Sequence, residues 1–244
     1  MKILIVRHGD PNYEIDGLTE RGKLEAELLS ERLVKENITA AYTSPLGRAR
    51  LTAEYTMKKL GREAEVCEWL QEFLTHTIVK PNKPNKRTIA WDWLPEDWTE
   101  IPEFYDKDKW YTHPVMTEGG VEEGYREVAE QLDRLIEKHG YKRHGNYYLT
   151  ENANEDTIVF FCHFGLECVL LSHLLGISPM PLWHNFCAAP TSVTTVVTEE
   201  RRKGKASFRM WGFGDVSHLY AKGVEQSRAA LFCETYENFE QRHD

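Results

Sequence analysis

Lys2-Ile3-Leu4-Ile5-Val6-Arg7-His8-Gly9, an apolar run that stops at a cation, an imidazole and a glycine, decides how the rest of the chain reads. Its aliphatic residues do not alternate with polar ones, so the strand they form is buried on both faces, as in a parallel sheet covered by helices. Residues following such a strand stand at the carboxyl edge of the sheet, where open α/β sheets bind their ligands. A second run of the same kind, Thr157-Ile158-Val159-Phe160-Phe161-Cys162, leads into His163-Phe164-Gly165.

Between and around these strands the sequence alternates helix and strand. Leu18-Thr19 opens a helix whose Gly22, Ala26, Leu29 and Leu33 form one stripe. Ile38 to Thr43 reads as a strand, and Ser44-Pro45 as a helix start with a cap acceptor and proline at the first position. Ala49, Thr52, Ala53 and Met57 give that helix its inward face, and Arg48 lies in its first turn. Ala64 to Cys67 is a third strand, and Gly124 to His139 an amphipathic helix. Tyr141 to Asp156 reads as a polar loop, Ser192 to Thr198 and Ala206 to Trp211 as strands, and the tail after Val224 as a final helix.

The fold class these patterns describe is α/β: a three-layer α/β/α sandwich around a mostly parallel central sheet. One domain is expected over residues 1–244, with a helical or irregular cap inserted at about residues 75–120. Trp91, Trp93, Trp98 and Trp110 fall in that insertion, and they fit either a partly ordered cap or a local aromatic core. Its Lys80, Lys83, Lys86 and Arg87 fit either a ligand with extra negative charge or a solvated basic face.

A net charge of -9 argues against a general nucleic-acid or anionic-membrane binder, so any anion must meet a local positive cluster. No apolar run is long enough to span a membrane, and the opening residues lack the pattern of a signal peptide; a cytoplasmic protein is expected. The five cysteines are scattered, without a CxxC pair, which fits a reducing compartment and gives no metal site and no cofactor.

Arg7-His8, Arg48 and His163 therefore converge on one sheet edge. That set suits phosphoryl transfer through histidine: a neutral imidazole attacks phosphorus, arginine forks hold the phosphate oxygens, and a carboxylic acid protonates the leaving oxygen. The partner is a small phosphorylated molecule; nothing in the sequence fixes the oligomeric state.

Arg7-His8-Gly9, Gly17-Leu18-Thr19 to Gly22, Ser44-Pro45-Leu46-Gly47-Arg48-Ala49 with Thr52-Ala53, the strand ending in His163, and Gly214-Asp215 with Ser217-His218-Leu219 resemble the ordered motifs of the histidine phosphatase superfamily, phosphoglycerate-mutase-like branch. The resemblance implies a metal-independent phosphatase with His8 as phosphorylated nucleophile. Arg7, Arg48 and a protonated His163 would surround the phosphate, and Glu72 would be the proton donor, with Glu68 as the neighbouring carboxylate. Pro11 and Glu14 stand where many members have threonine and asparagine, which leaves Asn12 as a candidate phosphate contact; Phe164, interposed before Gly165, is another. Glu72-Phe73-Leu74-Thr75-His76 does not reproduce the Glu-Arg-His-Tyr-Gly pattern of the mutases, which favours hydrolysis. A phosphoglycerate-type mutase and a non-catalytic phosphate sensor are the alternative functions.

Overall fold

The computed structural model describes residues 1–74, 76–229 and 231–243. Strand β1 (Lys2–Arg7) leads through the small pair β2 (Pro11–Asn12) and β3 (Gly17–Leu18) into helix α1 (Glu20–Leu33). Then come β4 (Ile38–Thr43), α2 (Gly47–Leu60) and β5 (Glu65–Val66). The segment expected as a cap holds the hairpin β6 (Thr77–Val79) and β7 (Arg87–Ile89) and short helices α3 (Pro95–Trp98) and α4 (Pro114–Glu118). Thr75, where that insertion is expected to begin, lies outside the described residues. The long α5 (Val121–Lys138), the hairpin β8 (Lys142–His144) and β9 (Tyr147–Leu149), and β10 (Thr157–Cys162) follow. The chain continues through α6 (Phe164–Leu175), α7 (Pro179–Asn185), β11 (Val193–Arg202), β12 (Lys205–Asp215) and α8 (Ser217–Tyr220).

Eight strands form one sheet in the order β5-β4-β10-β1-β11-β12-β9-β8. The sheet is mixed rather than mostly parallel throughout: β5, β4, β10 and β1 run parallel, and from β1 outward to β8 every pairing is antiparallel. Connection length is the reason. Helices α1 and α2 supply the long crossovers that parallel neighbours need, whereas β11–β12 and β8–β9 are joined by tight turns at Gly204 and Gly145, both at positive φ. The polar loop expected over Tyr141 to Asp156 therefore contains a hairpin, anchored by Tyr148, whose ring packs edge-on against Phe208 at 4.8 Å.

Alternate residues of the central strands feed two separate cores. Ile3, Ile5, Ile158 and Phe160 join one with Leu132 and Ile136 of α5 and Val169 of α6. Leu4, Val6, Val159 and Phe161 join the other with Leu29 and Leu33 of α1 and Ala53 and Met57 of α2. Both faces of β1 and β10 are thus covered, as the unbroken apolar runs require. Trp93, Trp98 and Trp110 are buried in the first core, so three of the four tryptophans of the inserted segment pack within the protein, Trp93 and Trp98 also bordering the cavity that His8 lines. Lys80 belongs to no solvated basic face: it is buried and donates to the carbonyls of Trp91 and Asp92. Lys86 and Arg87 are exposed.

Two local expectations give way. Ser44 does not cap α2; Leu46 occupies the cap position, and the helix begins at Gly47. Residues 224–243 form turns rather than a helix among the described residues, and Ser227 ties them to Asp10. No helix among the described residues is long and apolar enough to cross a membrane.

Candidate active site

The parallel register places the ends of β1, β4 and β10 side by side, and the ladder runs on into the site residues: His8 N–H donates to the Cys162 carbonyl at 3.0 Å and Ser44 N–H to that of Phe161 at 2.9 Å. The Gly9 turn is clamped by Thr52 of α2, whose hydroxyl accepts Gly9 N–H at 2.9 Å and donates to the Arg48 carbonyl at 2.8 Å. Glycine is required here because a Cβ on Gly9 would stand 2.8 Å from the carbonyl oxygen of Gly22.

His8 is buried, and its Nδ1 lies 2.8 Å from the Gly9 carbonyl oxygen. A carbonyl only accepts, so Nδ1 carries the hydrogen and Nε2 presents its lone pair. The Arg48 Nε–H, directed at His8 Nε2 at 3.4 Å, fits the same tautomer. Burial, reinforced by the Arg7 and Arg48 charges, holds His8 well below the usual histidine range and therefore neutral. The ring of His163 is 5.1 Å from that of His8. Burial and the same neighbours keep His163 neutral too, which departs from the protonated state that the family resemblance implies for it. Its Nε2 meets Ser44 Oγ at 2.8 Å, while its Nδ1 is buried without a partner. Ser44 Oγ accepts Leu46 N–H and keeps both a proton and a second lone pair, so it can give or take the hydrogen it shares with His163 Nε2.

Arg7 is buried, donates to the Ala188 carbonyl, faces the Phe164 ring at 5.9 Å, and leaves its Nε without an acceptor. Arg48 is paired with Asp16 and covered by Tyr13 at 5.4 Å. Asp16 was not legible as a site residue. It sits in the left-handed region at φ 46°, and its second carboxylate oxygen accepts Gly47 N–H at 2.6 Å, so one side chain both caps α2 across the turn and aims Arg48. Asp16→Ala is expected to lower kcat/KM for a phosphomonoester about tenfold, chiefly through KM, and to cost about 1 kcal/mol of stability, the scale of a lost cap; steady-state kinetics and denaturant melts measure both.

Glu72 reaches the same place from the far side. Its Oε1 accepts the N–H groups of Phe73 and Leu166, both at 2.9 Å, and its Oε2 that of Gly165 at 3.3 Å. Burial nevertheless pushes its proton affinity up, against the pull of those bonds and of Arg7. Gly165 makes this possible: a Cβ there would fall 2.7 Å from Glu72 Oε1 and 2.8 Å from the Trp91 ring. Glu68 is exposed and away from the site. Asn12 is not drawn in either; its Oδ1 accepts Glu14 N–H at 3.1 Å. Phe164 lines the cavity with its ring.

A second unforeseen residue is Glu167 of α6, buried beneath the site with neither oxygen hydrogen-bonded within normal geometry. Burial raises its pKa to about 7. Between its ordinary 4.5 and about 7 the folded chain holds a proton that the unfolded chain has released, so stability falls as pH rises through that window. Glu167 alone contributes a fall of about 3 kcal/mol between pH 4.5 and 7.5, set against the rise that His8 and His163, held neutral by burial, contribute below 6.5. Glu167→Gln is therefore expected to gain stability relative to wild type by about that amount across the window, read as the difference between urea titrations of the two proteins at several pH values.

Arg7, His8, Arg48 and Glu72 line a cavity of ≈ 610 Å³ together with Trp91 and residues from the inserted segment, α7 and the carboxyl-terminal tail. A smaller cavity of ≈ 260 Å³ lies elsewhere, but its Asp133, Arg143 and His173 satisfy one another. Among the described residues no group of three or more His, Cys, Asp or Glu side chains is arranged to hold a metal ion.

The model of the histidine phosphatase superfamily (branch 1) matches residues 3–212. Phosphoserine phosphatase 1 of Hydrogenobacter thermophilus is 27% identical over 218 residues, covering 83% of this chain and 89% of its own. The adenosylcobalamin/alpha-ribazole phosphatase of Escherichia coli is 22% identical over 199 residues, covering 75% and 84%. A phosphoserine phosphatase from Entamoeba histolytica, solved with phosphoserine, superposes with a TM-score of 0.57 at 18% identity, over 89% of this chain and 98% of that one.

Proposed function

The chain belongs to the histidine phosphatase superfamily, branch 1, and from that membership we propose a two-step hydrolysis of a small phosphomonoester in which His8 carries the phosphoryl group. It is a phosphoric monoester hydrolase. The observation that carries the two-step reading is the Nδ1–H bond from His8 to Gly9, which leaves Nε2 as a lone pair between Arg7 and Arg48.

The phosphate dianion enters against the two guanidinium groups and supplies the acceptor that Arg7 Nε lacks. Its negative charge also reverses the balance at His163, which takes up a proton and donates from Nδ1 to a phosphoryl oxygen. His8 Nε2 then attacks phosphorus as the bond to the leaving oxygen breaks, and Glu72 gives that oxygen its proton. Water attacks the phosphohistidine next, Glu72 takes a proton from the water, and the P–N electron pair returns to His8. The guanidinium forks meet the charge on the equatorial oxygens in both steps, and no step calls on a metal. Residues 76–120 act as a cap of the one domain, since Trp91, Trp93, Leu94 and Pro95 line the cavity over His8.

Quenching in denaturant during turnover of a phosphorus-32 ester tests this. An acid-labile, alkali-stable label on His8 is the expected result; rapid turnover with no trapped label on His8 would overturn it. With 3-phosphoglycerate the expected product is free phosphate, and 2-phosphoglycerate would instead mark a mutase.

A further inference from the structure

Arg7, His8 and Arg48 line one part of the ≈ 610 Å³ cavity, and with a phosphate held there the remaining walls would bear on the leaving group. Those walls collect apolar side chains that stay in contact with solvent: Leu74 is 43% exposed, Leu94 43%, Phe186 39% and Phe232 42%. Apolar surface left open and gathered in one concavity marks a ligand site.

The wall nearest the chemistry is rigid. Trp91 Nε1–H donates to the Phe73 carbonyl at 3.0 Å, its own carbonyl accepts from buried Lys80, and its ring meets Phe164 edge-on at 6.2 Å. A tryptophan fixed at three points presents a flat apolar face beside Glu72, where the leaving oxygen must lie. Phe186 is braced likewise by Phe213 at 5.1 Å. Beyond the two arginines and Glu72, the charged lining consists of Asp92 and Arg242, with Asn82, His184 and Asn185 among the other polar side chains; exposed Arg242 stacks on Phe232 at 3.8 Å.

We propose that the substrate is a phosphomonoester of a bulky apolar alcohol, whose hydrocarbon body lies between Trp91, Leu94 and Phe186, rather than of a small polar acid such as phosphoserine or 3-phosphoglycerate. The inference rests on the phosphatase reading above. Hydrocarbon burial explains why apolar residues remain open here, and the rigid indole orients the ester oxygen toward Glu72.

Ethyl, butyl, hexyl and 2-phenylethyl phosphate test it, because their alcohols are similarly poor leaving groups and differ in apolar surface. The expected kcat/KM rises about threefold per added methylene, carried mainly by KM, giving roughly 100-fold from ethyl to hexyl. Hexyl phosphate is expected to exceed both phosphoserine and 3-phosphoglycerate. In Leu94→Ser and Phe186→Ser, two wall variants of exposed side chains, the hexyl-to-ethyl ratio is expected to fall about fivefold or more. A flat series, or a preference for either polar acid, with an aryl phosphate still hydrolysed, overturns the apolar-alcohol assignment and leaves the phosphatase standing. No turnover of any ester overturns both.

Discussion

Alanine in place of His8 is expected to lower kcat for an aryl phosphate by about 10⁵-fold or more, the scale on which enzymes lose activity when a covalent nucleophile is removed. Arg7, Arg48 and the Glu72 carboxyl would still surround the ester, so binding survives better than turnover. What disappears is the one neutral nitrogen aimed at phosphorus, and water cannot take its place because nothing holds it in line. The fold should persist, since the backbone bonds of residue 8 to Cys162 and Thr191 do not involve the imidazole. Kinetics on a purified variant with a wild-type-like thermal melt decide the matter; activity within about 100-fold of wild type would rule out His8 as nucleophile.

Glu72→Gln should be the next most damaging change, with kcat for an alkyl phosphate down by about 10²- to 10⁴-fold, the usual worth of a positioned acid. Glutamine keeps an oxygen for the Phe73 and Leu166 N–H groups but turns its NH2 toward the Gly165 N–H that Oε2 accepts at 3.3 Å, so a thermal melt beside the kinetics separates loss of the proton from loss of that contact. The effect of the lost proton depends on the leaving group. A nitrophenolate departs without protonation, so the phosphorylation step should suffer far less with p-nitrophenyl phosphate than with hexyl phosphate. Burial raises the Glu72 pKa, so the acid form persists into the upper range for a carboxyl, and activity on alkyl esters should fall as pH rises through it. That alkaline limb should be missing in the variant. Equal losses in the phosphorylation rates of the two esters, read in single-turnover experiments so that the shared hydrolysis of the phosphohistidine does not enter, would assign the acid role elsewhere.

Much of this was readable from local pattern. The two unbroken apolar runs became adjacent central strands, Lys2 opposite Thr157, and every residue of the Gly22–Leu33 and Ala49–Met57 stripes is buried. Arg7, His8, Arg48 and Glu72 meet around one cavity with His163 beside His8, because parallel strands deliver their carboxyl ends to one edge. What escaped depends on distance or on what covers a residue. Asp16 reads as a loop acid, and only the turn at φ 46° brings it to Gly47 and Arg48, 31 and 32 residues on. Glu167 reads as a first-turn helix charge, and only the layers around α6 reveal it as buried. Ser44 carried a helix-start signal in Ser-Pro; its hydroxyl accepts Leu46 N–H ahead of the helix and pairs with His163, while Leu46 takes the cap position. The β8–β9 hairpin is masked by Lys142, Arg143 and His144, polar residues on short edge strands.

The missing side chain of Gly165 ties selectivity to reactivity. Glu72 and Trp91 both press into the space a Cβ would fill, so the acid and the flat wall share one support and cannot be altered separately. Exchanging Trp91 to accept a different alcohol would loosen the proton donor as well, and the new specificity would arrive with a slower catalyst. Leu94 and Phe186, which line the cavity without touching that glycine, can be redesigned freely. Across relatives of this chain, changes in substrate preference should accumulate at those two positions while residues 72, 91 and 165 change together or not at all.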